Sequence, residues 1–246
     1  MNLKKILGII VVGFTGILLH TRMVGKTAYI FDLDDTLIRS KAKAYLFTPD
    51  NVIHSAYTSR EIRDQKEMIN KKIEEGYIMN FDEIGDDPML SFHYLMTSEE
   101  NVKMIDFVKR IYRRTKEDIY ILTGRGNDPE IIYNFLAHRF NLIIPIENIM
   151  TVAHKPTFHK IQRRVSHLYE DHPIYSIFQL KDSPLASIHK KKKVCLFSVI
   201  MKGYDRINFY DDDKHNIDEA NELKRELKEY EEFEEIEMNV EYMEDF

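Results

Sequence analysis

The sequence predicts an α/β protein: a Rossmann-like open parallel sheet with helices on both faces and a small insert after the first strand. Three observations carry that expectation. Short apolar runs at 26–33, 119–122 and 207–210 read as strands covered on both faces. The first runs into Asp32, Asp34 and Asp35, the second stops at "TGRG" and the third at "DDD". Polar clusters at strand ends suit an open parallel sheet, which binds ligands outside the carboxyl ends of its strands. Helical patterns fill the intervals between these runs.

With 246 residues, the chain is long enough for one large domain, or a core with a modest insert, burying about 70–75 % of its unfolded surface. A hydrophobic fraction of 43 %, with 14 Tyr, 14 Phe and no repeat period, excludes a disordered or solenoid protein. Cys195 is the single cysteine, which excludes an intrachain disulfide and a Cys-based zinc site. The net charge of −6 is uneven: residues 211–246 hold 16 acidic and 4 basic side chains, leaving the body at +6. The tail reads as a solvated helical face, and the body permits phosphorylated or nucleic-acid ligands without requiring them.

Taken in order, residues 1–22 form an apolar signal- or anchor-like segment and residues 23–246 the core. Residues 6–19 are uncharged and mostly apolar behind Lys4 and Lys5, shorter than the roughly 18–20 residues of a membrane-spanning helix. Three readings stand: an anchor or uncleaved signal, an extension upstream of a start at Met23, and a docked helix. The first would place a cytoplasmic-facing protein at a membrane through residues 6–19. After the first strand, 40–98 is expected to form the insert over the site, with an amphipathic stretch at 59–75. A helix is expected at 99–115, capped by Ser98, with Val102, Ile105, Val108 or Ile111, and Tyr112 on one face. Asp128 caps, and Pro129 opens, the helix after the second strand. A strand interrupted by Pro145 is expected within 142–150, then an irregular stretch over 154–189. Residues 194–201 read as a packed helix, 218–229 as a polar helix at the sheet edge, and "IEMNVEYME" as an edge strand.

The stretch "YIFDLDDTLI" crowds three aspartates at a strand end. Two like charges about 4 Å apart repel by about 4 kcal/mol at an effective dielectric near 20. A bound divalent cation is the simplest offset. "FDLDDTL", "ILTGR" and "INFYDDD", in that order and each at a strand end, resemble the first, second and fourth signatures of the haloacid dehalogenase superfamily of phosphohydrolases. The likeness runs over residues 26–227. It implies that superfamily's fold, with the 40–98 insert as a cap. It also implies phosphatase chemistry, because an acid stands at the second position of the first signature, and a phosphate-neutralising lysine before the last core strand. "HKKKKV" occupies that place, where Lys192 is preferred and Lys191 next. Asp35 stands where many members have glycine and reads as a turn residue.

The residues carry the same chemistry without the resemblance. Asp32 is placed to attack phosphorus and form an aspartyl-phosphate. Asp34, two positions on along an extended backbone, is placed to protonate the leaving oxygen and then deprotonate water. Thr123 offers a hydroxyl and Gly124 a backbone N–H to phosphoryl oxygens; Arg125 either extends that cradle or pairs with a carboxylate. Asp211 and Asp212 would complete an oxygen-only metal shell with Asp32 and the main-chain carbonyl of Asp34, with Asp213 as the alternative outer residue. Few hard oxygen ligands favour Mg²⁺. Cys195 reads as core, and His154, His159, His167 and His172 as loop or surface.

"GYIMNFDEIGDDP" at 76–88, followed by the TGRG turn and "FYDDDKHN", resembles phage-type phosphatases of the superfamily, including the 3′-phosphatase half of phage polynucleotide kinases. No P-loop is present, so a kinase half is not expected. The expected function is a Mg²⁺-dependent phosphomonoesterase acting on a nucleotide or nucleic-acid terminal phosphate, with "HKIQRR" at 159–164 as backbone contacts. The alternatives are a phosphatase for another metabolite or a protein, and a catalytically silent binding protein on the same fold.

Overall fold

The computed structural model describes residues 25–115, 118–169, 172–174 and 188–244; the N-terminal apolar segment lies outside them. No described helix is long and apolar enough to cross a membrane. In chain order the elements are β1 (Thr27–Phe31), β2 (Ile38–Arg39), β3 (Ala44–Phe47), β4 (Ile53–Tyr57), α1 (Ser59–Asp64), α2 (Lys66–Glu74), β5 (Ile78–Asn80) and α3 (Pro88–Met96). They continue as β6 (Glu99–Glu100), α4 (Val102–Tyr112), β7 (Ile119–Thr123), α5 (Pro129–Phe140), β8 (Ile149–Thr151), α6 (Lys155–Tyr169), α7 (Ile188–Ile200), β9 (Arg206–Asp211), α8 (Lys214–Leu227) and β10 (Glu237–Tyr242).

Five strands form one sheet in the order β10-β9-β1-β7-β8, every pair parallel. Side chains alternate across a strand, so the apolar runs feed two cores. Ile30, Leu122 and Phe209 pack with α6, α7 and α8, while Phe31, Ile121 and Tyr210 pack with α4 and α5. Helices therefore cover both faces, a mixed α/β architecture compatible with a Rossmann-like fold. From β1 the chain steps outward through β7 to β8, then returns across β1 to β9 and β10. That reversal makes the carboxyl end of β1 a topological switch point, where open α/β sheets leave a crevice.

Between β1 and α4 the chain builds a separate three-stranded antiparallel sheet, β4-β3-β5, with α1, α2 and α3 around it. The amphipathic stretch predicted at 59–75 is two helices broken at Gln65, and Thr58 caps the first through a reciprocal bond with Glu61.

Other expectations are corrected. The helix predicted from Glu99 starts at Val102, because Glu99 and Glu100 pair with Arg39 and Ile38 as β6. Its cap is Asn101, whose side chain accepts from the Met104 amide at 3.2 Å, while the Ser98 hydroxyl donates to the Leu95 carbonyl. Met104 joins Ile105, Val108 and Ile111 in the core, whereas Val102 is exposed. Asp128 and Pro129 open α5 as expected. The strand of 142–150 shortens to β8 behind a 3₁₀ turn at Ile146–Asn148. Residues 155–169, expected to be irregular, are the 15-residue helix α6, anchored by Phe158 and Val165 at helical spacing. α7 starts at Ile188, so the lysine run lies inside it.

Candidate active site

Asp32 follows β1 directly, and Asp211 closes β9. Phe31 and Tyr210 are register partners, and the Asp32 amide donates to the Tyr210 carbonyl at 2.9 Å, so the two aspartates leave adjacent strands together. Carboxylate oxygens of Asp32, Asp211 and Asp212 lie within 4.8 Å of one another. All three residues are buried.

One cation joins two of them. Lys192, from α7, donates to Asp32 Oδ1 at 2.6 Å and to Asp211 Oδ2 at 2.8 Å. Burial alone would lower the lysine's pKa, but Asp211 and Asp32 outweigh it and hold the ammonium charged. Burial raises the Asp32 carboxyl; Lys192 opposes this and the neighbouring carboxylates add to it. Burial and Asp211 likewise push Asp212 up to about 6, against the Arg63 guanidinium.

The remaining lysines divide as helix geometry requires. Lys191 is corrected: it turns away from the centre, its ammonium 5.3 Å from the Phe158 ring centroid. Lys193 faces Glu219, Glu222 and Glu226 of α8.

Asp34 is gripped by Arg125. Nε donates to Oδ2 and Nη2 to Oδ1, both at 2.8 Å, while Nη1 donates to the Ile84 carbonyl at 2.9 Å. Of the two roles left open for Arg125, pairing with a carboxylate is the one present. Thr123, fully buried at the end of β7, accepts the Arg125 amide on Oγ1 at 3.3 Å. A Cβ on Gly124 would meet Ile188 Cγ2 at 3.4 Å, so this turn runs close beneath the start of α7. Asp35 has φ 58°, the left-handed turn conformation that glycine adopts most readily. Burial and Asp34 raise its carboxyl.

Asp213 caps α8 by accepting from the His215 amide at 2.9 Å, which leaves Asp212 as the outer carboxylate of the centre. Burial would raise the Asp213 carboxyl, but that amide, His189 and Arg63 lower it overall. Cys195 is buried core. His159 and His167 are exposed on α6, and His154 and His172 are half-buried.

Two residues of the centre escaped the sequence reading. Asn216 Nδ2 donates to both oxygens of Asp211, at 2.9 and 3.0 Å; its spacing of five from Asp211, in the first turn of α8, was a usable signal. Arg63 reaches across from α1 to Asp212 Oδ2 at 3.0 Å, a contact between residues 149 apart that no local motif announces.

Neither the family models nor the curated proteins nor the solved structures contain a match to this chain.

Proposed function

We propose that the chain is a haloacid dehalogenase-type phosphomonoesterase, with Asp32 as nucleophile and Asp34 as general acid and base. The observation that carries this reading is the convergence of Asp32, Asp211 and Asp212 at the switch point of the sheet, with Lys192 joining the first two. Asp32 attacks phosphorus, and the ester oxygen leaves with a proton from Asp34. Water, giving a proton back to Asp34, then opens the aspartyl-phosphate and releases inorganic phosphate. Arg125 uses one lone pair on each Asp34 oxygen, and a carboxylate has about four such positions, so a site for the proton remains. Lys192 and the Thr123 hydroxyl hold the phosphoryl oxygens together with the Gly124 N–H.

A group of buried carboxylates that raise one another's pKa fits a hard dication, and Mg²⁺ would supply charge for the phosphoryl oxygens. Asp32, the main-chain carbonyl of Asp34 and Asp212 are the residues to hold it. Asp211 serves as organiser, because Lys192, the Asp213 amide and two bonds from Asn216 fill its four acceptor positions. Segment 44–96 acts as the cap, sending Arg63 to the mouth and the Ile84 carbonyl to Arg125. A nucleotide or nucleic-acid terminal phosphate is the leading substrate class, supported by Arg63 and by the exposed His159, Lys160, Arg163 and Arg164 of α6.

Hydrolysis of an aryl phosphate with and without Mg²⁺ tests the reading. Asp32→Asn should cut the rate at least about a thousandfold; equal rates for the two proteins would leave a non-catalytic binding protein. A screen of 3′- and 5′-phosphorylated oligonucleotides, mononucleotides and sugar phosphates then assigns the substrate.

A further inference from the structure

A second group of ligand-bearing side chains borders the carboxylate centre without sharing a residue with it. His189 at the start of α7, and Asp213 and His215 at the start of α8, each offer an atom within 4.8 Å of the others. His215 Nδ1 lies 3.2 Å from Asp213 Oδ1, and His189 Nδ1 lies 3.7 Å from Asp213 Oδ2. Zinc bonds of about 2.0–2.2 Å in tetrahedral geometry set neighbouring ligand atoms about 3.4 Å apart; each separation, one to each Asp213 oxygen, lies within a few tenths of an ångström of that spacing. The imidazole rings sit 5.1 Å apart at 26°, stacked on one another. His189 Nδ1 also lies 2.8 Å from Asn216 Oδ1, a bond that a metal at this nitrogen displaces. Arg63 lies 3.8 Å from Asp213 and has its closer bond to Asp212.

We propose that His189, Asp213 and His215 form a binding site for a borderline divalent transition-metal ion such as Zn²⁺, separate from the oxygen-only centre of Asp32, Asp211 and Asp212. Two imidazoles and one carboxylate select such ions over Mg²⁺, for which imidazole is a poor ligand. Water or an incoming anion completes the coordination. The site stands whether or not the protein is a phosphatase.

The test is titration of the full chain, stripped of metal, with ZnCl₂ against a chromophoric zinc chelator. Wild type should take up one equivalent with high affinity, and Asp32→Asn should retain it. His215→Ala should weaken that uptake at least tenfold; this side chain is 71 % exposed, so its loss leaves the fold intact. His189→Gln should do the same, with circular dichroism confirming its fold. Bound Co²⁺ should change its visible absorption in both histidine variants and keep it in Asp32→Asn. Absence of zinc uptake, or uptake that either histidine variant leaves unchanged, overturns the proposal.

Discussion

Lys192 carries its ammonium between two buried carboxylates, which lose their counter-charge if it goes. Lys192→Met should therefore cost about 3–5 kcal/mol in urea unfolding as well as activity, the penalty for breaking a buried ion pair from one side. Lys193→Met should cost about 1 kcal/mol or less, because its three glutamate partners are partly exposed and can rehydrate. Asp212 gives a pH signature. Its carboxyl, raised to about 6 from an ordinary value near 4, favours the protonated form in the fold. The stability it contributes is complete below about pH 4 and lost as pH rises through about 6. With a chelator present, Asp212→Asn should raise Tm at pH 7, the advantage vanishing near pH 4; a lowered Tm at pH 7 would mean that the Arg63 pair outweighs burial. At this scale the sequence displayed the aspartates, because each sits beside an apolar run. It ranked Lys192 above Lys191 only by spacing, and Arg63 was invisible because its partner is distant in the chain.

The turn at Asp82–Asp86 rests directly on the loop after β7. A Cβ on Gly85 would lie 2.9 Å from the Gly126 amide nitrogen, a backbone atom that cannot step aside alone. Gly85→Ala should cost about 1–3 kcal/mol and raise KM for the aryl phosphate, measured by denaturation and steady-state kinetics. Asn101→Ala should cost about 1 kcal/mol through its lost cap, and more because its Nδ2 also bonds the buried Thr36 carbonyl at 3.1 Å. Asn101 also shows why element ends were harder to read than elements. Glu99 and Glu100 have good helix propensity, yet pairing with β2 claims them, a tertiary effect that overrides a weak local preference. For α6, by contrast, the apolar spacing of Phe158 and Val165 was present but diluted by basic and polar neighbours.

At the scale of the molecule, the sheet's order follows from which strands can be buried on both faces. β1, β7 and β9 read as continuous apolar runs and take the three central places. β10 alternates and takes an edge, as its pattern implied, and the residue after it, Met243, donates its amide to the Asp211 carbonyl at 2.9 Å. Ending the chain after Glu235 should bare the unpaired edge of β9, lower Tm and raise light scattering, since uncovered strand edges recruit other chains. The architecture was legible because hydrophobic periodicity survives in a single sequence. The insert's internal sheet was not, since its strands are short and half-exposed.

One guanidinium ties two of these scales together. Arg125 holds the Asp34 carboxylate with two nitrogens and the Ile84 carbonyl with the third. Lifting segment 44–96 therefore either breaks the bond to Ile84 or moves Arg125 and the Asp34 carboxylate with it. If the proposed phosphatase reading holds, opening of the insert and placement of Asp34 are coupled through this one side chain.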